Sequence, residues 1–411
     1  MNIALFTDAY LPSKTGVVTV VNELYEGLKA KGHHVIIITV DNPDAEADES
    51  NPDIYRVPSA KMGWGMKDQF FGFPFLKKVS KIIKQNEIDI IHCHTEFSMG
   101  INAVHESKKC HVPLIATTHT MWEDYYKFYI PGGEHISPDT IRALIRKFYS
   151  HMNSLINVSA KAHDYFKQDN ICPDIPSAII PNSINPKQYC SKTSSPEEIA
   201  ELRSSLGIKE DEQMLLFVGR VVEEKRVFEL VDILDNVFTQ TEKAKAVIVG
   251  DGPALKYMKK LVSVSQHPDR FVFTGFIDNS LVHRYYESAA LFVSPSLSEM
   301  HSMTILEALT SGLPVVVRKD TSYNDTVIDG FNGYQSESDE KMSEAIVNML
   351  KDQKLLKLYG KNSKERSVDF LPETFVNRHI AYYQAVLNAW KTRKPVTDEM
   401  LEKSVESASK Q

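Results

Sequence analysis

Cysteine is scarce: four residues in 411, at Cys93, Cys110, Cys172 and Cys190, with no Cys-x-x-Cys pair. That excludes a dense disulfide framework and suits a reducing compartment. An excess of positive charge is also missing. The formal net charge of −7 counts against a general nucleic-acid binder, which normally carries a basic surplus. No apolar run reaches the roughly 18–20 residues that a membrane-spanning helix needs. Met1 leads directly into Asn-Ile-Ala-Leu-Phe-Thr-Asp, with no basic n-region, so no secretory signal is expected and the expected setting is cytoplasmic. No Gly-x-Gly-x-x-Gly follows the first strand, which disfavours a dinucleotide oxidoreductase. No Asp-x-Asp pair follows a strand either. His92-Cys93-His94 has metal-ligating residue types, but alternation along a strand points Cys93 away from both histidines. No metal is expected to be required.

What is present is a strand–helix rhythm that runs twice. Residues 3–6 are a short apolar run, and 17–31 read as a helix with Val20, Val21, Leu24 and Leu28 at helical spacing. Gly32 closes it, and 35–40 is a β-branched run of the kind buried on both faces. Further strands are expected at 88–92, 114–118, 155–158 and 177–180. A composition break follows at about 186–212, after which strands are expected at 214–218, 246–249, 271–274, 290–293 and 314–317, with a helix over 302–310. The fold class is therefore α/β, with two Rossmann-like domains facing each other across a deep cleft. The expected limits are 1–188 and 189–372, with a last helix at about 373–394 crossing back to the first domain. The charged, Ser-rich stretch 395–411 is expected to be disordered. Ligands of such sheets bind outside the strand C-terminal edges.

Two elements carry chemistry in the second half. Gly219-Arg220 follows a strand and Glu224-Lys225 lies just beyond. Cations there suit a diphosphate, whose charge grows as its bond to a transferred group breaks. Glu299 and Glu307 flank the start of a helix. Carboxylates accept hydrogen bonds from vicinal hydroxyls, and the helix N-terminus at Ser302 and Met303 aims N–H groups at an anion. Each element alone also fits solvated surface charge.

Taken as an ordered series, they resemble a known family. Gly-Arg…Glu-Lys is followed by Gly250-Asp251-Gly252-Pro253, Phe273-Thr274-Gly275-Phe276, Glu299…Glu307 and Gly312-Leu313-Pro314-Val315-Val316. The series resembles the donor domain of the retaining GT-B glycosyltransferases of family 4. The first half agrees through Tyr10-Leu11-Pro12 with Gly16, Glu23-Leu24, Gly32-His33-His34-Val35 and Ile180-Pro181-Asn182-Ser183-Ile184-Asn185. The resemblance implies that Arg220 and Lys225 hold a donor diphosphate, Glu307 the ribose and Glu299 the transferred sugar. Gly16 lets a backbone N–H approach the diphosphate, and Gly250, Met300, His301, Ser302 and Met303 line the donor pocket. His119 in Thr117-Thr118-His119-Thr120 matches the family histidine beside the reacting carbon. The implied reaction is metal-independent retaining transfer from a nucleotide sugar, the departing diphosphate taking the acceptor's proton. The chain departs from the family at Met300-His301-Ser302, where relatives carry Gly-Phe-Gly, and at Asn182-Ser183, where Asn-Gly is common.

The acceptor side is expected in the first domain. Residues 54–84 interleave Trp64, Phe70, Phe71, Phe73 and Phe75 with Lys61, Lys67, Lys77, Lys78, Lys81 and Lys84, with Asp68 as an acidic exception. Aromatics beside a basic amphipathic helix suit docking on an anionic bilayer; the same composition also fits a core-packing loop with a solvated lysine face. Ile91-His92-Cys93-His94-Thr95-Glu96-Phe97-Ser98 and His119-Thr120-Met121-Trp122-Glu123-Asp124-Tyr125-Tyr126 resemble the bacterial diacylglycerol glucosyltransferases of family 4. That resemblance implies UDP-glucose as donor and diacylglycerol or a glycosyl-diacylglycerol as acceptor, at the inner membrane face. Glu123, Asp124 and Tyr125 become acceptor candidates, and 129–133 a mobile loop with glycine hinges. Two alternatives stay open: a soluble or polymeric acceptor (polysaccharide, teichoic acid or protein), and a non-catalytic sugar-nucleotide-binding partner subunit.

Overall fold

The computed structural model describes the chain except Lys14, 43–50, 62–69, 130–131, 187–192 and 409–411, and except the side chains of Asp124, Tyr125, Phe128 and Tyr129. The chain divides into two compact units, Met1–Ser183 with Pro372–Gln411, and Ile184–Leu371.

The first unit runs β1 (Asn2–Thr7), α1 (Gly16–Ala30), β2 (His34–Val40), β3 (Ile54–Val57), β4 (Ser59–Lys61), β5 (Phe70–Gly72), α2 (Lys77–Gln85), β6 (Ile90–Cys93), α3 (Ser98–Cys110), β7 (Leu114–Thr118), α4 (Trp122–Tyr129), α5 (Pro138–Tyr149), β8 (Ser154–Asn157), α6 (Ala160–Phe166) and β9 (Ser177–Ile179). Its seven-stranded sheet has the order β3-β2-β1-β6-β7-β8-β9, parallel at every pairing. Strands such as 35–38 are fully buried, as a sheet covered by helices on both faces requires. β4 and β5 form a separate antiparallel ribbon.

The second unit runs α7 (Pro196–Ser205), β10 (Gln213–Val218), α8 (Val227–Gln240), β11 (Ala244–Val249), α9 (Leu255–Ser263), β12 (Phe271–Gly275), α10 (Asn279–Ser288), β13 (Leu291–Ser294), α11 (Met303–Thr310), β14 (Val315–Arg318), β15 (Gly333–Ser336), α12 (Asp339–Lys351) and α13 (Gln353–Ser367). Its sheet, β12-β11-β10-β13-β14-β15, is again parallel. Apolar layers lie on both faces of it. In each unit the strand order reverses beside the first strand, at β1/β6 and at β10/β13, which opens a crevice at the C-terminal edge.

The chain then returns to the first unit as α14 (Pro372–Thr392), followed by α15 (Asp398–Ala408). Phe375, Val376, Tyr382, Tyr383, Val386 and Leu387 of α14 are buried, each contributing roughly 1.5–3 kcal/mol relative to exposure. Gly27 of α1 makes this seat possible, because a Cβ there would meet Val376 Cγ2 at 2.2 Å. The expectation of a disordered 395–411 is corrected over 398–408, which form α15, while 409–411 lie outside the described residues. Leu401, Val405 and Ala408 share one face of α15 and are buried. Asp398 at its start accepts hydrogen bonds from Lys167 Nζ at 2.8 Å and from the Ser177 amide at 2.6 Å. Period and a charged anchor outweigh a composition that reads as a tail.

Candidate active site

In the first unit the site residues follow β6 and β7. Alternation along β6 puts the rings of His92 and His94 together, with centroids 4.0 Å apart. His94 continues to His119, just past β7, with Nδ1 and Nε2 separated by 3.1 Å. His92 is fixed from both sides, by Tyr383 Oη of α14 and by Thr117 Oγ1, each at 2.7 Å. His379 of α14 completes the group, its ring 5.9 Å from that of His92 and its Nδ1–H donated to Phe375 O at 2.9 Å. Burial pushes His92 and His94 well below the usual histidine range, His119 down to about 3 and His379 down to about 4. All four imidazoles are therefore neutral near pH 7. Among the described residues no cluster of three or more His, Cys, Asp or Glu side chains has the arrangement to hold a metal ion. Cys93 turns its thiol to Thr95 O at 3.0 Å.

Gly16 is the first residue of α1 and exposed, while Thr15 caps the helix by accepting from the Val18 amide at 3.4 Å. Glu23 is buried and accepts from Ser183 Oγ. The motifs that hold these two residues thus meet, and Ser183 replaces a common glycine with a hydroxyl that satisfies a buried carboxylate. Glu123 pairs with Arg142 of α5. The side chains of Asp124 and Tyr125 lie outside the described residues, as do 130–131 of the proposed loop.

In the second unit three backbones crowd the end of the sheet. Gly250 has φ +138°, and a Cβ on it would stand 1.9 Å from Gly219 O. Its amide donates to Gly275 O at 2.9 Å. Only glycine allows both the conformation and the approach. Beside this layer, Arg220 is exposed at the end of β10. Lys225 reaches the carboxylate of Glu299 at 2.6 Å, both side chains largely shielded. Glu307, half-buried on α11, accepts from Tyr286 Oη at 2.6 Å, and burial pushes its carboxyl up to about 7. Met300 and His301 are buried; His301 Nε2 lies 3.2 Å from Asp325 Oδ2, so its ring is held by the protein. Ser302 precedes α11 without a side-chain cap hydrogen bond, its Oγ 3.1 Å from Thr304 Oγ1. The Ser302 side chain therefore does not cap the first-turn amides, which begin at Met303.

The basic-aromatic strip is also in the first unit. Phe71, Phe73 and Phe75 are exposed by 37%, 52% and 56%, and Phe70 is half-buried. Lys77, Lys78, Lys81 and Lys84 are exposed on α2, whose other face buries Val79, Ile82 and Ile83. Trp64 and Lys67 lie outside the described residues. Among the described residues no helix is long and apolar enough to cross a membrane.

Sequence reasoning placed His92 and His94 on one face of a strand but weighed them only as metal ligands, and missed the contact of His94 with His119. It also missed Tyr286 and Asp325, the partners of Glu307 and His301. These contacts join residues 21 and 24 apart in sequence, with no local pattern to signal them.

Residues 14–188 match the family described as Glycosyltransferase Family 4, and residues 198–366 match Glycosyl transferases group 1. The alpha-monoglucosyldiacylglycerol synthase of Acholeplasma laidlawii is 30% identical over 382 residues, covering 91% of this chain and 94% of the relative. The enzyme of that name from Streptococcus pneumoniae is 33% identical over 350 residues, covering 85% and 78%. The crystal structure of Anabaena HepE in complex with UDP superposes with a TM-score of 0.73 at 17% identity, over 92% of this chain and 98% of that one. This chain belongs to the GT-B glycosyltransferases of family 4.

Proposed function

We propose that the protein transfers glucose from UDP-glucose to diacylglycerol, or to an already glycosylated diacylglycerol, at an anionic membrane surface with retention of configuration. The observation that carries the acceptor is the exposed run Phe71, Phe73 and Phe75 beside the four lysines of α2. Aromatic side chains can enter the headgroup region while the lysines meet anionic lipid. Both relatives named above are, by name, synthases of alpha-monoglucosyldiacylglycerol, a product that supports the same acceptor here. The donor reading rests on the Lys225–Glu299 pair, the uncapped start of α11 and Glu307, with UDP favoured by the ligand of HepE. The enzyme then works from the cytoplasmic side as a peripheral protein.

In this reading Lys225 and Arg220 neutralise the departing diphosphate, which takes the proton of the acceptor hydroxyl as the new bond forms on the same face. No metal is required. The test is transfer from labelled UDP-glucose to diacylglycerol in mixed micelles, in the presence of chelator. An α-linked glucolipid formed at an unchanged rate is expected; a β-linked product or a strict divalent-metal requirement overturns the mechanism.

Glu307 gives a pH prediction. Ribose hydroxyls donate to a carboxylate, so nucleotide binding favours its ionised form. In the free protein burial holds the proton on until about pH 7. UDP affinity is therefore expected to rise as pH increases through about 7 and then level off. The same raised value acts on stability in the opposite sense: the folded state loses stability as pH rises from the ordinary carboxylate range through about 7. Calorimetric titration of UDP into wild type and Glu307→Gln checks this. The variant should bind more weakly, and the pH dependence left should be that of UDP alone. Equal slopes for the two proteins would remove Glu307 from the ribose site.

A further inference from the structure

The pairing of His94 with His119 fixes more than a ring position. Both imidazoles are neutral, so one proton lies between His94 Nδ1 and His119 Nε2, 3.1 Å apart. Two arrangements are possible. If His119 Nε2–H donates, His94 must carry its own proton on Nε2. That nitrogen is buried and has no hydrogen-bond partner among the described residues, so the arrangement buries an N–H with no acceptor. If His94 Nδ1–H donates, His94 Nε2 is a bare lone pair and no donor is stranded. An orphaned buried N–H is the rarer and costlier defect. Imidazole side chains have a slight intrinsic preference for the Nε2–H form, which opposes this choice, and the stranded donor outweighs it. The His94 ring has little room to swing, because it packs against His92, tilted by 38° with ring centroids 4.0 Å apart, and stacks on His119. His92 is in turn clamped by Tyr383 and Thr117.

We propose that His94 is a positioning residue that donates its Nδ1–H to His119 Nε2 and so presents His119 Nδ1–H as a fixed donor to the bound sugar nucleotide. Among the described residues His119 Nδ1 has no hydrogen-bond partner of its own, which leaves it for the ligand. In this state His119 does not take the acceptor's proton. It supplies a preorganised hydrogen bond to a ligand oxygen, at no cost of reorientation during transfer. The inference rests on the reading of His119 as part of the transfer site.

The test uses the full-length protein labelled with 15N-histidine. Long-range 1H–15N spectra distinguish protonated from bare ring nitrogens, and comparison with His119→Gln identifies the His119 signals. The expected pattern is a bare Nε2 and a protonated Nδ1 on His119; the reverse pattern overturns the proposal. Turnover gives an independent arm. His94→Leu should lower kcat on the order of 10- to 100-fold, with KM for UDP-glucose little changed and the thermal midpoint checked alongside. His94→Asn, whose amide N–H can take the place of Nδ1–H, should restore most of the loss. Full turnover in His94→Leu with His119→Ala inactive would overturn the positioning role and leave the His119 reading standing. Full turnover in His119→Ala would remove that reading, and the proposal with it.

Discussion

Lys225→Ala is expected to lower turnover by about two to three orders of magnitude, the usual cost of removing a group aimed at charge that develops in the transition state. Lys225 lies in the short turn between β10 and α8, and its ammonium already meets a carboxylate, Glu299, at 2.6 Å. The structure therefore brings together the two residues that the resemblance assigns to diphosphate and sugar. Under the proposed mechanism, removing the lysine takes away the counter-charge to the leaving group, and it leaves Glu299 without its cation. The loss should fall on kcat, because charge on the diphosphate is greatest as the sugar departs. Lys225→Arg keeps the charge but replaces a point ammonium by a planar fork, and should recover only part of the rate. Stability should change little, since a partly exposed ion pair contributes little to folding. Steady-state kinetics with UDP-glucose, beside a thermal melt, checks both halves. Near-normal turnover in Lys225→Ala would take this residue out of the diphosphate site.

Replacing Lys77, Lys78, Lys81 and Lys84 together by glutamate should abolish binding to anionic vesicles while sparing hydrolysis of UDP-glucose. Each lysine near an anionic surface contributes about 1 kcal/mol. Loss of the four attractions alone is about 4 kcal/mol, or roughly a thousandfold in partitioning, and the reversed charges add repulsion. All four side chains are exposed, and the face of α2 that holds it to the domain, Val79, Ile82 and Ile83, is untouched. The fold should therefore survive. Wild-type binding should also weaken steeply with salt, because exposed charges are screened over about 8–10 Å at physiological ionic strength. Co-sedimentation with phosphatidylglycerol vesicles reads the effect. Unchanged sedimentation of the quadruple variant would dispose of α2 as a docking helix.

The buried parallel strands were legible because both faces are covered, so runs such as 35–38 and 314–317 are apolar without interruption. β15, Gly-Tyr-Gln-Ser at the edge of its sheet, carries no such run, and its pairing with β14 is set by neighbours distant in sequence. β3 failed for a related reason, with Arg56 in a four-residue strand. α15 was read as a tail because charge and serine dominate its composition, while only Leu401, Val405 and Ala408 mark its buried face.

The site was legible in proportion to how local its parts are. Gly219-Arg220, Glu224-Lys225 and the spacing of Glu299 and Glu307 are written in short stretches, carried by the loops at the strand ends and by α11. The histidine group was not legible. It joins β6, the end of β7 and α14, with His92 and Tyr383 separated by 291 positions. The same applies to His301, which motif reasoning assigns to the donor pocket and which the fold ties to Asp325.

The most direct measurement is transfer of labelled glucose from UDP-glucose by the purified protein to diacylglycerol in mixed micelles of increasing phosphatidylglycerol content. Labelled glucolipid that increases with the anionic fraction is the predicted result. Slow release of free glucose, with no labelled lipid at any composition, would contradict the lipid acceptor.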